Sequence, residues 1–123
     1  MRTDDLPTRR NLANKLMALL TLHDPAAAAQ YYKKGLWRAA SFYDLVAQHA
    51  RERPEGHAVR DCNRRLSWAE LERWSRAVAT SLEKSGLGFG DRVSMAISNR
   101  VEALIIFIAC SRNGYVCNPS LHK

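Results

Sequence analysis

Apolar positions along the chain change period in a way that separates helices from strands. Leu12, Leu16, Leu19 and Leu20 recur at helical spacing and predict an amphipathic helix over roughly residues 9–22, which His23-Asp24-Pro25 ends because proline cannot extend it. The alanine-rich stretch after it is predicted helical to Lys34. Gly35-Leu36-Trp37 breaks the pattern and places Trp37 to plug the edge of a core. A further helix is predicted to start at Ser41, whose hydroxyl can accept a free first-turn amide, with Asp44 three residues on favouring the positive end of the helix dipole. Phe42, Leu45, Val46, His49 and Ala50 form its apolar stripe, and Pro54 closes it.

His57 to Asp61 and Arg64 to Leu66 predict two short strands in a hairpin turning through Cys62-Asn63. Ser67 and Glu70 then form a capping box, and Leu66 and Leu71 occupy the positions of a hydrophobic staple, so a helix is predicted over 68–85. Leu71, Trp74, Val78 and Leu82 share its inner face, Glu72 and Arg76 can pair on the outer one, and Gly86 supplies the stop. Arg92 to Ser98 predicts a buried strand, with Val93, Met95 and Ile97 on one face and Ser94, Ala96 and Ser98 on the other. Asn99 is placed to cap the next helix, whose run from Val101 to Cys110 is apolar nearly all round. Gly114 ends it, and Tyr115 to Asn118 begins another strand before Pro119. The order from residue 57 is strand, strand, helix, strand, helix, strand. It predicts an α/β fold, a partial layered sheet with crossover helices, preceded by N-terminal helices. The helix fed by the Ser67–Glu70 joint is expected to lay the following strand beside its predecessor in a shared sheet.

With 123 residues, 46% of them hydrophobic, the chain can bury one modest core, so one globular unit with an appended tail is expected. The net charge of +7 suggests a polyanion partner only if it is concentrated. Residues 1–40 carry seven basic and three acidic groups and residues 41–123 carry twelve and nine, without a basic stripe interleaved with aromatics, so a nucleic-acid partner is not expected. Cys62, Cys110 and Cys117 form no CxxC pair and leave an odd thiol, which suggests neither a disulfide framework nor a zinc site and fits a reducing cytoplasm. The longest apolar run, Ala103 to Cys110, is far short of the roughly 18 residues a membrane span needs. Leu16 to Leu22 imitates a secretory signal only faintly, since Asn14 and Lys15 interrupt it and Asp4 and Asp5 oppose both export and mitochondrial targeting.

Candidate chemistry is sparse. The four histidines, His23, His49, His57 and His122, are scattered, and His49 has no Cys or carboxylate at ligand spacing, which makes it a packed or half-exposed histidine. Gly86-Leu87-Gly88-Phe89-Gly90 could be taken for a phosphate cradle, but it follows a helix and leads into a strand, the reverse of what such a loop requires, and Asp91 would repel the anion. There is no GxSxG elbow and no HExxH. No catalytic, cofactor-binding or metal-binding residue is assigned. Ser98 and Asn99, at the carboxyl end of a strand, are the nearest geometric candidates for a ligand site, with helix capping the simpler role for both.

Two landmarks carry a family resemblance: Leu66-Ser67-Trp68-Ala69-Glu70-Leu71, and Asn113-Gly114-Tyr115-Val116-Cys117-Asn118-Pro119. Together they resemble the first two core motifs of the adenylate-forming enzymes: acyl-CoA synthetases, luciferases and peptide-synthetase adenylation domains. The likeness extends over roughly residues 31–121. Tyr31-Tyr32-Lys33-Lys34-Gly35-Leu36-Trp37 is similar to the lead-in of bacterial acyl-CoA ligases of the cyclohexanecarboxylate and medium-chain type. Ala58 with Asp61, Gly90-Asp91-Arg92-Val93, and Asn99 with Glu102 follow in the family's order. Ser98 stands where the family commonly has proline, and Cys117 to Leu121 only approximates its pattern. The resemblance implies a helical N-terminal extension over 1–40 and the start of an adenylation domain over 41–123. It also implies a parent reaction that joins a carboxylic acid to coenzyme A through an acyl-adenylate, using ATP and magnesium. The family's phosphate loop, ribose-binding aspartate and mobile lysine have no counterpart in these residues, so the chain is expected to be inactive alone. A different expectation is a non-catalytic module that docks on the remainder of a ligase, or on itself, through the apolar face of helix 101–113.

Overall fold

A computed structural model describes residues 24–120, and the expected helix over 9–22 lies outside them. The chain divides into two units, Met1–Ala39 and Ala40–Lys123. In the first, α1 (Pro25–Lys33) is the helix expected of the alanine-rich stretch. Asp24 accepts hydrogen bonds from the Ala26 and Ala27 amides at 2.8 and 3.4 Å, and Pro25 takes the first helical position, where no amide is needed. The helix closes with Gly35 N–H donating to Tyr32 O and Leu36 N–H to Tyr31 O, a Schellman arrangement. Trp37 packs on Tyr31 and Tyr32 of its own unit, at ring separations of 5.1 and 5.7 Å, and is 44% exposed, more open than the core plug expected.

The second unit runs α2 (Phe42–Glu52), β1 (His57–Arg60), β2 (Arg65–Ser67), α3 (Trp68–Lys84), β3 (Arg92–Ala96), α4 (Val101–Asn113) and β4 (Val116–Ser120). Ser41 and Asp44 form a full capping box on α2, the Ser41 amide donating to Asp44 at 2.7 Å and the Asp44 amide to Ser41 at 3.2 Å. The buried stripe of α2 is rotated from the expected one: Val46 is buried and Tyr43 packs on the core, while Phe42 and Leu45 are 60% and 38% exposed. Tyr43 sets that rotation. Its hydroxyl donates to Glu72 of α3 at 2.7 Å and its amide donates to the Ser111 hydroxyl of α4 at 3.3 Å.

The Ser67–Glu70 joint is wound as expected, with the Glu70 amide donating to Ser67 at 3.3 Å and the Ser67 amide to Glu70 at 2.8 Å. The staple residues Leu66 and Leu71 are 4% and 2% exposed. Glu72 and Arg76 pair at 3.5 Å on the outer face. Gly86, at φ +94°, closes α3 with its amide donating to Glu83 O, and Leu87 N–H donates to Leu82 O. Val46, Leu66, Leu71, Val101, Ile105 and Ile108 form the core, where α2, α3 and α4 meet the hairpin. Ala79 of α3 and Ala109 of α4 are fully buried, small side chains where the two helices pack closely.

These elements make a mixed helix-and-strand α/β architecture whose sheets are small. The expected shared sheet does not form: β1 and β2 make an antiparallel hairpin, and β3 pairs in parallel with β4. The helix α3 therefore links two separate sheets, and the crossover is α4, which carries the chain from β3 to its parallel neighbour. Local closure explains the hairpin's independence, because a turn of four residues brings its strands together before any distant strand can compete. Strand β3 is half-buried rather than buried and ends at Ala96, short of Ser98. β4 continues through Pro119, opposite Met95; β3 is its only partner among the described residues, so an edge-strand proline is tolerated.

Candidate functional site

The hairpin turn, the carboxyl end of β3 and the first turns of α4 enclose an open groove of about 580 Å³. Val59, Met95, Leu104 and Phe107 supply its apolar lining, and Arg60, Arg100 and Asn99 supply polar groups. Asp61 organises it. One carboxylate oxygen accepts the Asn63 and Arg64 amides, both at 2.7 Å, closing the turn, while the other accepts the Val101 amide at 3.0 Å. A residue forty positions upstream therefore caps α4. The Val101 amide foremost, then those of Asn63 and Arg64, and more weakly the Arg100 charge, hold the Asp61 carboxyl below its ordinary pKa. A second tie runs alongside, since Arg64 pairs with Glu102 at 3.4 Å and lies over the Trp74 ring at 5.3 Å.

Asn99 does not cap α4, contrary to expectation. The N-cap is Arg100, which makes no side-chain cap bond, because Asp61 already holds the amide that a local cap would take. Asn99 lines the groove, whereas Ser98 is exposed and does not. His49 is half-exposed and packs on Trp68 at 4.5 Å, and His57 accepts a bond from Arg65 at 3.2 Å; His23 and His122 lie outside the described residues. Among the described residues no three His, Cys, Asp or Glu side chains are placed to hold a metal ion.

ATP and magnesium, which the family resemblance implies, do not fit the amide clusters of the helix α4 start and the glycine-rich segment among the described residues. A helix start is an anion site only while its amides are free, and at α4 the chain's own carboxylate is already there. In the glycine-rich segment before β3, the Gly88 amide donates to Asp91 at 2.6 Å and the Gly90 amide to Gly114 O at 2.9 Å. Those residues form the expected helix-to-strand connection and leave no cradle for phosphate. The groove can bind and orient; no nucleophile and base are brought together in it.

Sequence reasoning missed two features. Asp61 could have been read as a turn residue, aspartate being suited to bonding the amides that follow it, but nothing local signals its reach to Val101. Cys110 is buried at the end of α4, and burial first and the neighbouring Cys117 second push its thiol up to about 11.

The antiparallel hairpin, the capped helix and the parallel β3–α4–β4 unit define an α/β piece of the kind found at the start of adenylate-forming enzymes. The solved structure of VinN with L-aspartate superposes on 65% of this chain with a TM-score of 0.63 and 25% identity, and the match takes in 21% of that protein. Residues 46–122 match the AMP-binding enzyme family, and the chain belongs to it. Malformin synthetase of Aspergillus neoniger (strain CBS 115656) is 30% identical over 106 residues, 82% of this chain and 2% of that synthetase. The medium-chain fatty-acid–CoA ligase of Escherichia coli (strain K12) is 29% identical over 109 residues, 88% of this chain and 19% of the ligase. The chain thus spans a fifth or less of the length of these curated relatives.

Proposed function

We propose that the chain is the N-terminal part of an AMP-forming acyl-CoA synthetase, the scaffold on which the rest of the enzyme assembles its ATP and acyl sites. Its parent would convert a carboxylic acid, ATP and coenzyme A to acyl-CoA, AMP and pyrophosphate, with magnesium neutralising the polyphosphate. The observation that carries this reading is the similarity to the E. coli medium-chain ligase over 88% of the chain, which includes the Tyr31 to Trp37 lead-in region. Residues 1–40 are then an extension that includes α1, and 41–123 the start of the adenylation domain. By itself the chain is inactive, a reading supported among the described residues by the Val101, Gly88 and Gly90 amides being held by Asp61, Asp91 and Gly114. Three unpaired thiols suit the cytoplasm, and a role in fatty-acid metabolism follows from the similarity to the medium-chain ligase.

A chimera tests the assignment. Residues 31–120 replace the matching segment of the E. coli medium-chain ligase or of that organism's enterobactin synthase component E, which is 31% identical over 87 residues. Acyl-CoA formation persists in the first chimera while adenylation is lost in the second. The opposite outcome, or equal activity in both, removes the acyl-CoA assignment. The chain alone releases no pyrophosphate from ATP, magnesium, coenzyme A and a panel of carboxylic acids.

A second reading, a non-catalytic docking module, is favoured by one observation. Phe42 and Phe107 pack ring to ring at 5.4 Å yet are 60% and 37% exposed, beside the 38% exposed Leu45. A compact monomer that binds no hydrophobic dye would exclude it.

A further inference from the structure

The face of α3 turned away from the core is basic. Leu71, Ser75 and Ala79 of this helix are buried, whereas Arg73, Arg76, Ala77, Ser81 and Lys84 are exposed. Together with Thr80 the exposed set lines a groove of about 520 Å³, and no carboxylate is among the lining residues. Residues 73 to 84 recur there at helical spacing, so the strip runs for about three turns, or about 16 Å. Arg76 pairs with Glu72 at 3.5 Å, and Glu72 also accepts the Tyr43 hydroxyl at 2.7 Å, so that carboxylate already serves two donors. Among the described residues Arg73 and Lys84 have no carboxylate within ion-pair distance. Of the other carboxylates on α3, Glu70 is held in the capping box and Glu83 lines no part of the groove.

The positive strip continues onto α2. Arg73 and Arg76 also line a second groove of about 610 Å³ between α2 and α3, and Arg51 adds a cation to it. Its two carboxylates are engaged within the chain, Asp44 by the Ser41 amide and Glu72 by Tyr43 and Arg76. We propose that this basic strip of α3 docks an acidic helix of a partner protein. Carboxylates repeating at the same helical spacing on the partner meet Arg73, Arg76 and Lys84, and the Thr80 and Ser81 hydroxyls can donate to them. Short side chains at 77, 80 and 81 leave the partner's carboxylates room to reach the cations. Neither the strip's Ala, Thr and Ser floor nor its rim holds an aromatic ring for stacking bases or a large apolar side chain for entering a bilayer. This does not depend on the acyl-CoA assignment.

The test measures, by fluorescence anisotropy, binding of the full chain to a labelled alanine-based helical peptide of about twenty residues with glutamates at the spacing of the strip. The glutamate peptide binds at low salt and is released as salt rises, and the same peptide with glutamine for glutamate does not bind. Arg73→Glu with Lys84→Glu weakens binding at least about tenfold. Arg73→Ala with Lys84→Ala, which suits a helix and keeps the fold, weakens it in the same direction. Lys33→Glu with Lys34→Glu makes the same change in net charge at exposed positions away from the strip and alters binding by less than about twofold. Three results would overturn the proposal: equal losses in the two charge-reversed variants, equal binding of the glutamine peptide, or tighter binding of duplex DNA or phosphatidylserine vesicles than of the glutamate peptide.

Discussion

Substituting Ser67 by alanine probes the joint from which α3 grows. The change deletes the acceptor of the Glu70 amide, a 3.3 Å bond in a partly buried position, and leaves that amide at a helix start without its partner. Loss of a serine cap costs about 1 kcal/mol. With a urea slope of about 1.5 kcal/mol/M, ordinary for a small domain, the midpoint falls by about 0.7 M, read by far-UV circular dichroism. The reciprocal bond, from the Ser67 amide to Glu70 at 2.8 Å, survives Ser67→Ala and is removed by Glu70→Ala. Because the two bonds order the same turn, the double variant loses less than the sum of the singles. Ser67→Thr keeps the hydroxyl and most of the stability. An unchanged midpoint in Ser67→Ala, or strict additivity in the double variant, would show that the joint does not hold α3 as described.

Further expected outcomes concern the same frame. Ile105→Ala, at a core position 3% exposed, lowers stability by about 2–5 kcal/mol in the same urea assay. Gly114→Ala costs about 1–2 kcal/mol from its left-handed backbone alone. Its new methyl also collides with the Phe89 ring, so Phe89→Ala in the same chain recovers the collision part and not the backbone part. The depressed Asp61 pKa means that the folded state binds its proton less readily than the unfolded state. The stabilisation is present above the ordinary carboxylate pKa and is lost as pH falls through the lower folded value. Urea midpoints taken from about pH 5 to about pH 2 therefore fall less steeply in Asp61→Asn than in the parent chain, and superimposable acid limbs would count against the cap on α4.

Short-range chemistry made much of this fold legible. The Ser41 cap, the Ser67–Glu70 capping box, the Leu66–Leu71 staple, the hairpin and the Gly86 and Gly114 stops depend on residues a few positions apart, and each is where the sequence placed it, Asp44 adding a return bond to the Ser41 amide that was not expected. Long-range choices were not written locally. Strand pairing depended on which partner closes at least cost, so β3 joined β4 across α4 instead of returning to β2. The buried face of α2 was set by Tyr43 reaching Glu72 and Ser111, contacts made across 29 and 68 positions that a hydrophobic stripe does not record. At the candidate site, Asn99 satisfied every local rule for a cap and lost the position to Asp61. The family was legible because its motifs coincide with these local devices. The burial of Cys110 against the turn after α4 was not.

The central claim is that a free-standing hairpin and a parallel β3–α4–β4 unit share one core in the start of an adenylate-forming fold. Backbone nuclear Overhauser contacts in the labelled chain test it most directly. The expected pattern runs parallel between Arg92–Ala96 and Val116–Ser120, in the register Arg92 to Val116 and Ala96 to Ser120, with no cross-strand contacts between Arg65–Ser67 and Arg92–Ala96. Pairing of β3 with β2, or antiparallel contacts between β3 and β4, would contradict it.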